Sequence, residues 1–153
     1  MSLEILTPMN KVERVSRQIT PSTFVAAPGV WAAVQSDGSL LNVAENAYPT
    51  ISKLVIGSAS ANSYESHDVE VGRIATLESF GVRCKVDSTG FAGTILQGAM
   101  LVVSSKAGEL GKLISVDDAG TTHHAYEVVA RCEEISTTHL TFRTLSPVMF
   151  TVS

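Results

Sequence analysis

Tyr126-Glu127-Val128-Val129-Ala130-Arg131-Cys132 and, past the turn residues Ser136-Thr137-Thr138, Leu140-Thr141-Phe142-Arg143-Thr144 decide the fold. Both runs are short, rich in β-branched and aromatic residues, and bounded by small polar ones, so both read as strands. Met100-Leu101-Val102-Val103 has the same texture, and after the turn Lys106-Ala107-Gly108-Glu109-Leu110-Gly111 so does Lys112-Leu113-Ile114-Ser115-Val116. Toward the N-terminus, Phe80, Val82, Cys84 and Val86 alternate with Gly81, Arg83, Lys85 and Asp87. Period-2 alternation predicts that the first four share one face while Arg83, Lys85 and Asp87 look the other way. Val69 to Leu77 alternates in the same manner, with Ser79 at the turn between the two strands.

Further upstream, Val30-Trp31-Ala32-Ala33-Val34-Gln35 and Leu40-Leu41-Asn42-Val43 flank Asp37-Gly38. Asp-Gly between two apolar runs predicts a hairpin over residues 30–44, because both residues tolerate the positive φ of a type I′ turn. Ile51 to Ile56 is another apolar run, entered through a loop with Pro49, and residues 58–66 are small and polar, a surface loop. A short helix over residues 92–97 competes with strand-and-turn structure there. Residues 1–18 contain Leu3, Ile5, Leu6 and Val12, with Pro8 interrupting them. Pro so near the start, with weak periodicity on either side, predicts an extended segment, read either as a first edge strand or as an arm reaching a neighbouring subunit. Strands at this spacing, with no helical stripe between them, predict an all-β chain: one compact antiparallel β-barrel or sandwich over 19–153, with an extended N-terminal arm over 1–18.

Composition narrows the function classes. The chain has 153 residues, enough for one core, with 44% apolar and 17% charged residues and a formal charge of −4. No basic block is present to neutralise a run of phosphates, so nucleic acid is not an expected partner. No apolar run approaches the roughly 20 residues that span a bilayer as a helix, and no charged-then-apolar leader opens the chain. Membrane association and export are therefore not expected, and synthesis in a cytosol is.

The groups able to carry chemistry do not assemble into a motif. Cys84 and Cys132 are far apart in sequence, each in a predicted strand, and are read as free, partly buried thiols; the alternative is a disulfide between adjacent strands. His123 and His124, near Asp117, Asp118 and Glu127, are the metal candidates, but adjacent strand residues point to opposite faces, so a solvated loop is the reading. His67-Asp68 beside a Ser-rich loop lacks the G-x-S-x-G turn of a nucleophilic serine. Asp87-Ser88-Thr89-Gly90-Phe91-Ala92-Gly93 is rich in small residues but lacks the Gly-Lys-Ser/Thr ending of a phosphate-binding loop, so it reads as a turn. Neither a catalytic site nor a cofactor or metal is expected. Trp31, the single tryptophan, reads as core or as an interface anchor; Tyr48, Tyr64 and Tyr126 are too dispersed for a sugar-stacking platform.

Val69-Glu70-Val71-Gly72-Arg73-Ile74, Gly81-Val82-Arg83-Cys84-Lys85-Val86-Asp87, the stretch from Gln97-Gly98-Ala99-Met100-Leu101-Val102-Val103 to Gly111-Lys112-Leu113, and the strands 126–131 and 140–144 together resemble a tailed-bacteriophage head decoration, or cement, protein. The resemblance spans about residues 10–146 and lies in texture and order, not in a catalytic motif. It implies a non-enzymatic β-rich protein on the outer surface of an icosahedral capsid, clamping neighbouring major capsid subunits, commonly as a homotrimer, and made in the host cytoplasm. On that view Leu3, Ile5, Leu6, Val12 and, more weakly, Trp31 are the residues expected at a capsid or subunit interface. Two other classes stand beside it: a virion-surface or secreted β domain binding host glycans or other ligands, and a small-molecule hydrolase built as a β trimer.

Overall fold

A computed structural model describes residues 3–20, 22–25, 27–46, 51–57, 72–119 and 125–151. Within them the regular elements are strands, with two single 3-10 turns at Met9–Lys11 and Val116–Asp118. The strands are β1 (Leu3–Ile5), β2 (Arg14–Gln18), β3 (Trp31–Val34), β4 (Leu40–Leu41), β5 (Ser52–Leu54), β6 (Arg73–Leu77), β7 (Arg83–Asp87), β8 (Met100–Val103), β9 (Leu113–Ser115), β10 (Ala125–Ile135) and β11 (His139–Thr151). Every ladder between named strands is antiparallel. The chain is all-β, as its alternation requires.

One layer is a six-stranded sheet in the order β1-β7-β11-β10-β8-β9. Its axis is the long β10–β11 hairpin, whose register shifts between Val128 and Ala130 and again between Cys132 and Glu134. At the first, Leu145, Ser146 and Pro147 of β11 face the single Val129 of β10; at the second, Glu133 of β10 is the one extra residue of a bulge, and such irregularities increase local twist. The other layer joins β4-β3-β5 to β2-β6, tied by the bridge Val55↔Thr76 and the bond from Ile56 N–H to the Ala75 carbonyl.

Alternation along each strand places the core. Cys84, Val86, Leu101, Val103, Leu113, Ala130, Cys132, Leu140 and Phe142 from the six-stranded sheet meet Trp31, Leu54 and Leu77 from the other layer, all buried. A second cluster, Ile19, Phe24, Ala32, Leu40, Val55 and Ile74, fills the far side of that other layer. A third, Val102, Ile114, Ala119 and Val128, lies on the outer face of the six-stranded sheet with Val116 packed against it. Two glycines allow the layers to close. A Cβ on Gly111, at φ +80, would lie 2.6 Å from the Trp31 carbonyl oxygen, and one on Gly90 would lie 2.9 Å from that of Gly29.

Several expectations change. Residues 3–18 do not project as an arm: β1 pairs with β7 through Leu3↔Val86 and Ile5↔Cys84, and β2 pairs with β6 along its whole length. Of the two readings of this segment, the edge strand is the one the structure shows, and no break in packing falls at residue 18. The reason is energetic, since Leu3, Ile5 and Val12 cover apolar core that would otherwise face water. The hairpin over residues 30–44 forms, but through a three-residue loop instead of a type I′ turn. Gly38 N–H donates to the Gln35 carbonyl and Gln35 N–H to that of Ser39. Only Gly38 takes positive φ; Asp37 instead accepts from Ser39 N–H and Oγ. Residues 92–97 form no helix.

Phe80 is the residue whose expected placement fails. Val82, Cys84 and Val86 are buried as alternation requires, whereas Phe80 is 53% exposed. Gly81 takes φ +76 and β7 starts only at Arg83, so strand parity is not carried back through the bend to Phe80.

Candidate interaction surface

Two polar clusters fasten strands whose side chains would otherwise repel or stray. Arg83 and Arg143 stand directly opposite each other in the β7–β11 register, a like-charge pairing that is unfavourable by itself. Glu133, the extra residue of the bulge between Cys132 and Glu134, resolves it by accepting from Arg83 Nε at 2.5 Å and Arg143 Nε at 2.9 Å. The Arg143 hydrogen bond, then that of Arg83, holds the Glu133 carboxyl below its ordinary range. In the other layer, Arg17 donates to Thr76 Oγ1, to Glu78 Oε1 and to the Gly38 carbonyl, while Lys53 Nζ lies 3.5 Å from Glu78 Oε1.

Between the layers sits Glu127, only 7% exposed. Its Oε1 accepts from Ser52 N–H at 3.3 Å and Ser52 Oγ at 3.5 Å, linking β10 to β5. Burial pushes its carboxyl up, with the Ser52 bonds and the Lys53 charge opposing. An ionised carboxylate held by long bonds from one serine is poorly compensated.

No family model, no curated protein and no solved structure matches the chain.

The surface is therefore read from its own geometry. Of the residues expected at an interface, Leu3, Ile5 and Val12 pack against the chain's own main core, and Trp31 is 5% exposed inside it. Leu6, 38% exposed, is the one that presents substantial apolar area outward. Four of the five thus contact the chain's own core, Trp31 buried in it and Leu3, Ile5 and Val12 half-buried against it. Asp118, one of the candidate metal ligands, instead accepts from Thr94 N–H and clamps a loop. His67, Asp68, His123 and His124, with Tyr48, Tyr64, the loop 58–66 and Val69-Glu70-Val71, lie outside the described residues. Among the described residues, no three His, Cys, Asp or Glu side chains gather as they would around an ion.

What sequence reasoning missed is a surface at the fork where β7 leaves β11. The last backbone bonds joining the two strands are Thr144 N–H to the Val82 carbonyl and Gly81 N–H to that of Thr144. Beyond them a shallow depression opens, with room inside for about 20 Å³, Phe80, Leu145 and Pro147 at its mouth, Trp31, Leu77 and Val129 deeper, and Ser52, Lys53, Ser79 and Thr144 completing the wall. Lys53 Nζ lies 5.5 Å from the centre of the Phe80 ring, a cation–π contact that fixes the ring over the depression. Val148, one residue past Pro147, is 62% exposed. The available signals were Pro147, which suits a strand only at its edge, and the run Leu145 to Val152 without a single charge. Beside the depression, no strand among the described residues lies along 146–151 of β11 on the side of β7, so exposed apolar side chains and strand backbone adjoin here, a combination that can add a contact to another protein.

Proposed function

We propose that this chain is a structural virion protein that decorates the outer surface of an icosahedral phage capsid, stabilising it by clamping neighbouring major capsid subunits. The observation that carries the reading is that four stretches bearing the resemblance are neighbours in space. Residues 81–87, 97–113, 126–131 and 140–144 contribute to β7, β8, β9, β10 and β11, five consecutive strands of one sheet. A resemblance concentrated in one sheet is what a common architecture would produce, since strand order and alternation are the features that a sheet preserves.

The physical demands on such a protein are modest. It adds contact area where shell subunits meet, and a standard interface buries about 1,600 Å² in total. Repetition over a symmetric shell makes many weak contacts collectively strong. Leu6, beside the sheet edge, and the fork lined by Phe80 and Pro147 are the described apolar surfaces that could supply that contact. The test is shell robustness: heads assembled without the protein are expected to rupture at lower temperature than wild-type heads, and adding purified protein back is expected to restore the difference. Equal rupture temperatures would remove the stabilising role.

A further inference from the structure

The outer face of the six-stranded sheet carries a row of arginines. Alternation turns Cys84, Phe142 and Cys132 into the main core, so their neighbours Arg83, Arg143 and Arg131 stand on the opposite face. Arg143 pairs with Arg83 of β7 on one side and with Arg131 of β10 on the other. Like charges on three adjacent strands oppose the sheet's own pairing. Two exposed apolar residues flank the row: Leu6, whose N–H donates to the Arg83 carbonyl, and Met100, which stands opposite Arg131 on β8.

Glu133 offsets only part of the repulsion. It accepts the Nε hydrogens of Arg83 and Arg143, and Arg143 Nη1 donates to the Gly81 carbonyl. Both Nη atoms of Arg83 and the Nη2 of Arg143 make no hydrogen bond among the described residues. Arg131, exposed beside Gln97 and Gly98, makes no hydrogen bond or ion pair among them at all. A row that costs the sheet stability and leaves its donors turned outward marks a surface kept for something other than folding.

We propose that this row docks an acidic segment of a partner protein, whose carboxylates bridge the guanidinium groups of Arg83, Arg143 and Arg131. The occupant follows from charge and length. Neighbouring strands lie about 4.8 Å apart, so the row spans roughly 10 Å, and alternate residues of an extended segment lie roughly 7 Å apart. Two carboxylates on one face of such a segment therefore reach all three arginines, whose free Nη atoms match a carboxylate's two oxygens. A long phosphate backbone fits poorly, because the next row of the sheet sets Lys85 between Glu4 and Glu134 and the whole chain carries −4. A second copy related by a two-fold axis on the row would set arginine against arginine. The inference goes beyond capsid decoration and does not depend on it.

The experiment is fluorescence anisotropy at low salt with a short labelled peptide of alternating Glu and Thr, its Gln–Thr counterpart, and an oligothymidylate of equal charge. Each is titrated with the full chain as wild type, Arg131→Gln and the control Lys11→Gln, with circular dichroism to verify folding. Arg131 makes no bond within the fold and Lys11 is an exposed cation off the row, so both variants keep the fold and lose the same charge. Wild type and Lys11→Gln are expected to bind the Glu–Thr peptide saturably and more tightly than either other probe. Arg131→Gln is expected to bind it roughly tenfold more weakly, the loss of one charge-assisted hydrogen bond. Absent binding, undiminished binding by Arg131→Gln or an equal loss in Lys11→Gln would overturn the inference, as would equal or tighter binding of the Gln–Thr peptide or the oligothymidylate. Capsid binding is scored separately and bears only on the decoration reading.

Discussion

Cys84 and Cys132 stand opposite the same residue, Phe142, one from each strand that flanks it. Two interstrand steps place their Cα atoms roughly 9–10 Å apart, beyond the roughly 4.4–6.8 Å that a disulfide spans. The two thiols are free and fully buried on either side of an aromatic ring at the centre of the main core.

This geometry fixes their reactivity. Desolvation pushes the Cys84 thiol up to about 12, so thiolate, the reactive form, is scarce at neutral pH. Native protein is expected to react with a thiol reagent only as fast as it opens, and denatured protein to titrate two thiols per chain. Rapid labelling of either cysteine in the native state would contradict the packing around Phe142.

Glu127 and Glu133 are expected to give opposite pH signatures. The raised Glu127 group stays protonated in the folded chain at pH values where the unfolded chain has lost its proton. Its contribution therefore falls as pH rises from the ordinary value of 4.5 through its folded pKa. Glu127→Gln keeps an acceptor for Ser52 and removes the ionisation cost. It is expected to be more stable than wild type by about 1 kcal/mol at pH 7, with the gap closing near pH 4. Urea melts at the two pH values measure this, and a destabilised variant at pH 7 would show that the carboxylate is better compensated than the Ser52 contacts indicate.

The lowered Glu133 group behaves conversely, contributing stability above 4.5 that is lost as pH falls through its folded pKa. Glu133→Ala leaves Arg83 facing Arg143 without the shared carboxylate. A loss of about 1–2 kcal/mol is expected at pH 7 and low salt, shrinking in high salt because the cluster is partly exposed. A double-mutant cycle with Arg143→Ala tests whether the loss belongs to the ion pair.

Gly111→Ala is expected to cost about 3 kcal/mol or more. It combines a left-handed backbone conformation with a Cβ 2.6 Å from the Trp31 carbonyl oxygen, where backbone cannot yield cheaply. Gly81→Ala, at a similar φ but with open space around it, is expected to cost only about 1 kcal/mol. Equal losses would mean that closure of the two layers does not rest on Gly111.

The strands from Arg83 onward were legible in the sequence because each carries its own alternation or apolar run. The pairing of β1 with β7 was not. Leu3-Glu4-Ile5 is three residues long, and nothing local distinguishes a strand added to a distant edge from a free arm. Phe80 misled because one glycine at positive φ resets strand parity. Trp31 was ambiguous between core and interface until Leu54 and Leu77 were seen around it. The fork at Phe80 and Pro147 could not be read because it arises where two strands part, a relation between segments over 60 residues apart. Its traces in the sequence were the missing charges after Thr144 and the proline within that run.

The decoration reading is tested most directly by adding purified chain to capsids that lack it, co-sedimenting them and counting bound copies per shell. Saturable binding at a multiple of sixty, the order set by icosahedral symmetry, is the expected result. Absent or unsaturable binding by folded protein would contradict it.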